Sequence, residues 1–418
     1  MRPAKAHLEY SSQLPQIAAS SNVNLEALQL QWPEFESAKS MLGRAKLASI
    51  PAVPDPNVLP NEYRLTVRGL QADGQHHNER FLLSSGQEQL RQEGLPHPWY
   101  LFCCPLQLQL LHSATVWVMD GTFELCPSEF AQFYTIHARH ASSQFLPAVF
   151  ALLPGKSAVV YRRMFQSLRE QLIENFGTIG GVQRVLVDFE KAAIAELKLC
   201  FRQVQVKGCR FHYAKCLLEK LKDGRVALWS TYLQNAAFKH WVSLLTALPL
   251  IPTDYVRWVW NTVLRPSAQT LPAVSPQSLL IFLAYFENEW LQNDDYIRIW
   301  NHYEHPEGPR TTNHAESFHS GMNHSFGEPH PSIGNFLTWL QKKHFTIQTS
   351  LLKLNSGEPP RQRKTKWVQL DRQIVAARDM LQTNLAIIRG WPELMRQQQL
   401  VQLFQLHLRH CSYLFGTN

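Results

Sequence analysis

Residues 115–165 read TVWVMDGTFELCPSEFAQFYTIHARHASSQFLPAVFALLPGKSAVVYRRMF, and their pattern changes period once. TVWVM is a short apolar run that ends on Asp120, as a buried strand would. FAQFYTIHA (130–138) and FLPAVFALLP (145–154) are rich in aromatic and branched residues and are joined by a polar, histidine-containing turn. From Ser157 the spacing becomes helical, with Val160, Met164, Leu168 and Leu172 on one face and Gly177 as the stop. VQRVLVD then reads as a strand ending on Asp188, followed by a helix over 189–199, the strand VQVKG and a helix beginning near Phe211. The order β-β-β-α-β-α-β-α predicts a mixed sheet with helices on both faces.

Outward from this segment the pattern is weaker. Residues 1–112 read as a lead-in subdomain: a helical candidate over 22–47, a connector rich in proline (Pro51, Pro54, Pro56, Pro60), the strand-like pieces YRLTV and RFLL, and a further apolar piece, WYLFCCPLQLQLL. The first part of the core is expected over 113–225. Residues 226–305 lose all strand alternation and hold Trp229, Trp241, Trp258, Trp260, Trp290 and Trp300, which predicts an α-helical insertion with its own small core. Residues 306–350 carry a polar loop and an apolar helix around 333–340. Residues 351–418 are glutamine-rich helix interrupted by the basic run RQRKTKW (361–367).

Composition narrows the class. Of 418 residues, 45% are hydrophobic and 18% charged, which excludes a wholly disordered chain. No apolar run reaches eighteen residues and the first ten residues lack an apolar signal core, so neither a membrane span nor secretion is expected. Seven cysteines without regular spacing fit a reducing compartment. The net charge of +8 favours a polyanionic partner.

Asp120 and Asp188 end two strands, where side chains of open α/β sheets face a crevice. A single aspartate there also fits a turn or the cap of a following helix. Two converging carboxylates instead favour a divalent cation with oxygen ligands. Cys209 and His212 stand as Cys-x-x-His near a helix start, with Cys216 beyond. A structural zinc site wants four ligands and no second pair is evident, so zinc is not expected; packing is the plainer alternative. His314, His319 and His324, five residues apart, do not share one helical face and are not read as a metal cluster. Arg361, Arg363, Lys364 and Lys366 suit DNA phosphates or a nuclear localisation signal, against the usual reading of a solvated loop.

Four blocks resemble Mutator-like element (MULE) transposases: VWVMDGTF…FLPAVFALLPGK, VLVDFEKAAIAEL, VKGCRFHYAKCL and RTTNHAESFHSGMN. They occur in the family's order over residues 115–345. The resemblance implies an RNase H-like (retroviral integrase-like) α/β fold, interrupted by the helical insertion before its last catalytic helix. It further implies Asp120, Asp188 and Glu316 as an acidic triad holding two Mg²⁺ or Mn²⁺ ions, with Cys209 and His212 beside the active site. Metal-dependent DNA cleavage and strand transfer in the nucleus, by a homo-oligomer assembled on transposon ends and target, follow as expectations. The rival reading is a domesticated DNA-binding or chromatin protein that keeps the fold without the activity. The zinc-finger module that many such transposases carry upstream has no counterpart in residues 1–114.

Overall fold

A computed structural model describes residues 8, 11–32, 55–71, 76–86, 94, 97–306, 308–326 and 329–416. Its chain divides into two compact units, Met1–Val206 with Thr312–Arg361, and Lys207–Thr311 with Gln362–Asn418.

The first unit is built on a seven-stranded mixed sheet in the order β1-β2-β5-β4-β3-β6-β7. The strands are β1 (Leu82–Ser85), β2 (Tyr100–Phe102), β3 (Val116–Thr122), β4 (Gln132–Arg139), β5 (Phe145–Leu153), β6 (Arg184–Val187) and β7 (Gln205–Gly208). Every pairing from β1 to β3 is antiparallel, and β3 pairs with β6 in parallel. Strands β4 and β5 are buried along nearly their whole length, because helices cover both faces. On one face lie α3 (Pro105–Ser113), α4 (Ala158–Phe176) and α5 (Lys191–Cys200). There Trp117 donates its indole N–H to the Leu111 carbonyl and meets Phe201 edge-on at 5.5 Å. On the other lie α11 (Asn313–Phe326) and α12 (Ile333–Asn355), whose Phe336, Leu337 and Leu340 share a core with Phe133, Phe150 and Tyr100.

Local sequence explains the main boundaries. The Ser157 hydroxyl caps α4 by accepting from the Val160 N–H, and Gly177 ends it at φ 75°, a conformation that glycine adopts without strain. Gly180 (φ 90°) lies against the His112 carbonyl, 2.1 Å from where a Cβ would stand, and Gly181 N–H donates to that carbonyl. This contact fixes the turn that delivers the chain into β6.

The lead-in differs from its sequence reading in three places. The helical candidate over 22–47 is two short helices, α1 (Leu14–Ser21) and α2 (Leu25–Gln31), split by Asn22 in the left-handed region and Asn24 as N-cap; residues 33–47, and Pro51 and Pro54, lie outside the described residues. YRLTV forms a short 3-10 turn and a single bridge, Leu65 to Arg80, because the Arg64 carbonyl accepts from both Phe81 and Leu82. RFLL and WYLFCC supply β1 and β2, which extend the same sheet through Tyr100–Phe102 paired with Phe150–Leu152. The lead-in thus shares its sheet and core with residues 116–206.

In the described residues the second unit is helical beyond the two residues of β7 it contains. It comprises α6 (Arg210–Lys222), α7 (Trp229–Gln234), α8 (Ala236–Ala247), a helical stretch over 256–269 with a π turn at Trp260–Leu264, α9 (Pro276–Trp290), α10 (Asp294–Trp300), α13 (Thr365–Ile388) and α14 (Glu393–Gly416). Trp241, Trp260, Trp290 and Trp300 are its core, and each indole N–H finds an acceptor: Leu264 O, Glu287 Oε1, Tyr285 Oη and Trp290 O. Helix α14 packs along α8 and its His407 bonds the Leu250 carbonyl, so the C-terminal helices complete this core.

Replacing Gly180 with alanine is expected to lower stability by about 2–3 kcal/mol, from backbone strain and the His112 carbonyl together; a shift of the urea midpoint measures it. Burial holds four imidazoles below their usual range: His137, His302, His407 and His344, the last at about 3. Below pH 6.5 the unfolded chain takes up protons that these native side chains refuse, so stability is full above that value and falls as pH drops from it toward the folded values. Urea titrations between pH 7.5 and 5 should show this loss, and His344→Leu should reduce its slope by up to about 1.4 kcal/mol per pH unit.

Candidate active site

Strand register brings the two aspartates to one edge of the sheet. Val118 of β3 pairs with Leu186 of β6, so Asp120 and Asp188 each lie two residues beyond paired positions on parallel strands. Alternation puts Asp120 on the face that carries Val118, and Asp188 is the first residue past β6. Ala315, in the first turn of α11, packs against those same two residues in a small buried cluster. Its neighbour Glu316 stands in the same first turn of α11, 128 positions after Asp188 in the sequence. Thr312 donates its hydroxyl to Glu316 Oε1 at 3.0 Å, holding the carboxylate at the helix start.

Asp120 is 7% exposed and no helix follows it, so it does no capping work. Its Oδ2 lies 3.3 Å from His319 Nδ1, and His319 is its only ionic partner among the described residues. Asp188 is half-buried and accepts a long bond, 3.4 Å, from the Glu190 N–H, the geometry of a local turn. Burial first, then the charges of Asp188 and Asp120, push the Tyr134 phenol well above its usual range.

The sheet's opposite face carries a polar layer under this edge. Gln132 donates to the Tyr161 hydroxyl at 2.5 Å, and that hydroxyl donates to Glu190 Oε2 at 2.7 Å. Glu190, two residues after Asp188, is thereby anchored to α4 and β4. Gly121 is part of this layer. It sits inside β3 opposite Tyr134, and a Cβ there would come within 2.7 Å of Gln132 Oε1 and 3.1 Å of the Tyr134 ring. The glycine after Asp120 makes room for these two side chains within a strand; it does not serve a turn.

The remaining sequence candidates divide. Cys209 is buried as the N-cap of α6, and His212 is half-buried in the first turn of that helix; both belong to the second unit. Arg361, Arg363, Lys364 and Lys366 are exposed, with Arg363 bonded to Asp371 at 2.8 Å and Lys366 lying 4.5 Å over the Trp367 ring. Of the three spaced histidines, His319 lies against Asp120 and His314 stacks on Phe145 at 4.5 Å. Phe123, three residues past Asp120, is 43% exposed with the Lys156 ammonium 3.2 Å over its ring. Neither His319 nor the Phe123–Lys156 pair was singled out from the sequence.

Residues 116–216 match the family model described as the MULE transposase domain. The chain carries a MULE transposase domain over that stretch, which includes Asp120, Asp188, Cys209 and His212; Glu316 and the basic run lie beyond it. No curated protein matches the chain. No helix among the described residues is long and apolar enough to cross a membrane.

Tyr161→Phe would leave the buried Gln132 amide and the Glu190 carboxylate without their shared partner. A loss of about 1–3 kcal/mol is expected, read as a lower urea midpoint at unchanged slope.

Proposed function

We propose that this chain is a DDE-type transposase, in which Asp120, Asp188 and Glu316 form the metal-binding triad of an RNase H-like fold that cuts DNA and joins the cut end to a target. The observation that carries the reading is the Ala315 contact. It sets the first turn of α11, which bears Glu316, against β3, which bears Asp120, and β6, which leads to Asp188. The sheet supports it as well: its five strands β3 to β7 lie in the spatial order β5-β4-β3-β6-β7, with the first three antiparallel and β3 parallel to β6. This order is compatible with an RNase H-like fold.

The donor set fits Mg²⁺ or Mn²⁺. All three side chains are carboxylates, hard anionic oxygens suited to such ions, and the nearly buried Asp120 has no lysine or arginine among the described residues to balance it. The ions supply Lewis-acid polarisation of the phosphodiester when bound. The protein's own part is to hold three carboxylates at fixed spacing on elements that cannot shift independently. Thr312 fixes Glu316, the turn bond from Glu190 fixes Asp188, and His319 contacts Asp120. DNA is the partner that the net positive charge accommodates. Phe123 with Lys156 adds an aromatic face and an ammonium beside the triad, a pairing that suits a nucleotide's base and phosphate. Nuclear action by an oligomer on paired DNA ends belongs to the same reading.

Nicking of supercoiled plasmid in Mg²⁺ or Mn²⁺ tests it. Wild-type chain should nick, and Asp120→Asn, Asp188→Asn and Glu316→Gln should each fall by at least about 100-fold while retaining DNA binding. Nicking that survives all three substitutions would assign the chemistry to other residues. Binding without nicking by the wild type would leave a DNA-binding protein on a transposase fold.

A further inference from the structure

We propose that His319 is a positioning residue that fixes the Asp120 carboxylate and ties it to the helix bearing Glu316. The inference rests on the triad reading above and adds a residue to it.

The imidazole is 6% exposed and engaged through both nitrogens. Nδ1 lies 3.3 Å from Asp120 Oδ2, and Nε2 lies 3.0 Å from the Thr135 hydroxyl. Thr135 is the residue directly opposite Asp120 in the β3–β4 ladder, and its Oγ1 also stands 3.4 Å from the Asp120 carbonyl oxygen. The ring therefore closes a short circuit: Asp120 side chain, His319, Thr135 side chain, Asp120 backbone. Phe133 and Phe318 meet the imidazole edge-on, each at just over 6 Å between centroids, so the packing limits rotation of the ring.

The location gives the circuit its purpose. His319 follows Glu316 by three residues on α11, so both side chains emerge from one face of the helix. A carboxylate at a strand end rotates about two side-chain bonds, and a metal ligand with that freedom pays an entropic cost each time a cation binds. Holding Oδ2 through a ring that is itself anchored removes one rotation in advance. Because the holder belongs to the helix of Glu316, Asp120 and Glu316 are also fixed relative to each other. The same arrangement, a ligand oriented by a hydrogen-bonded neighbour, governs affinity at metal sites generally, where loss of the neighbour costs about 10- to 100-fold.

Conservative replacements separate the two contacts. In His319→Asn the side-chain amide reaches roughly the Nδ1 position and keeps the bond to Asp120. In His319→Gln the amide reaches the Nε2 position and keeps only Thr135. Mn²⁺ affinity, measured by the loss of the free-ion electron paramagnetic resonance signal on the full chain without DNA, should fall about 10- to 100-fold in His319→Gln and His319→Ala and be largely restored in His319→Asn. Thr135→Val, nearly isosteric, should weaken Mn²⁺ binding less, and Thr135→Ser should recover it. In nicking assays the same variants should lower kcat while KM for DNA stays near the wild-type value. Equal Mn²⁺ affinity in wild type, His319→Gln and Thr135→Val would overturn the proposal, as would His319→Asn performing no better than His319→Gln. Asp120→Asn serves as the reference. If it abolishes Mn²⁺ binding while the His319 variants bind normally, the triad stands and His319 has no part in it. If Asp120→Asn binds Mn²⁺ like the wild type, the triad reading fails and the role of His319 fails with it.

Discussion

Ala315 has a single methyl group to offer, and that methyl occupies the contact between α11, β3 and β6. Val118 and Leu186 face it from paired positions on the two strands, and all three side chains are fully buried. A larger residue would hold the helix away from the sheet, since a packed core does not absorb extra methylene groups without displacement. Everything at the acidic edge is referred to this point. Two residues along each strand lie the aspartates, one residue along the helix lies Glu316, and one further turn along lies His319. Asp120 and Glu316 stand on a strand and a helix that are in contact, while Asp188 stands in the turn that follows β6.

The two faces of the sheet serve the edge differently. The α11 face holds Asp120 and the His319 imidazole against it. The α4 face holds Gln132, Tyr161 and Glu190 in a hydrogen-bonded chain, with the Tyr134 ring lying over Gly121. A fully apolar layer there would be simpler to pack, but it would give Glu190 nothing to bond. Because Glu190 caps the start of α5 and its own N–H bonds to Asp188, the chain from β4 through α4 also steadies the segment in which Asp188 sits. The negative charges gathered at this edge oppose one another unless a cation balances them, so the polar layer and the apolar contacts must hold what electrostatics would spread.

Much of this was legible in residues 115–220, where strands and helices bury enough of their length for periodicity to declare itself. The strand that bears Asp120, the strand that leads to Asp188, the helix stopped by Gly177 and the tryptophan-rich helical stretch follow from local pattern, although β3 runs two residues past Asp120 to Thr122. Other features depend on partners too distant in sequence to be seen locally. Strands β1 and β2 have four and three residues, and they exist because Phe150–Leu152 offers them an edge. The helix expected over 333–340 continues to Asn355, and its later buried positions mix apolar residues with polar ones: the side-chain nitrogens of Gln341, Gln348 and Lys353 donate to the Glu62 and Leu65 carbonyls, to Glu79 and Cys104, and to the Trp32 carbonyl. Hydropathy alone cannot register such a face. His319 was weighed with His314 and His324 at five-residue spacing, whereas the informative interval was the three residues from Glu316. Only the fold shows that Thr135 waits on its other side.

The discontinuity of the first unit has a consequence in time. Residues 207–311 belong to the second unit, and at ordinary elongation rates they occupy the ribosome for on the order of ten seconds. Throughout that interval the emerging chain owns two aspartates at a sheet edge and no glutamate to complete them. On the proposed triad, the last acid is made only after the whole of the intervening segment, so a nascent or prematurely ended chain lacks it.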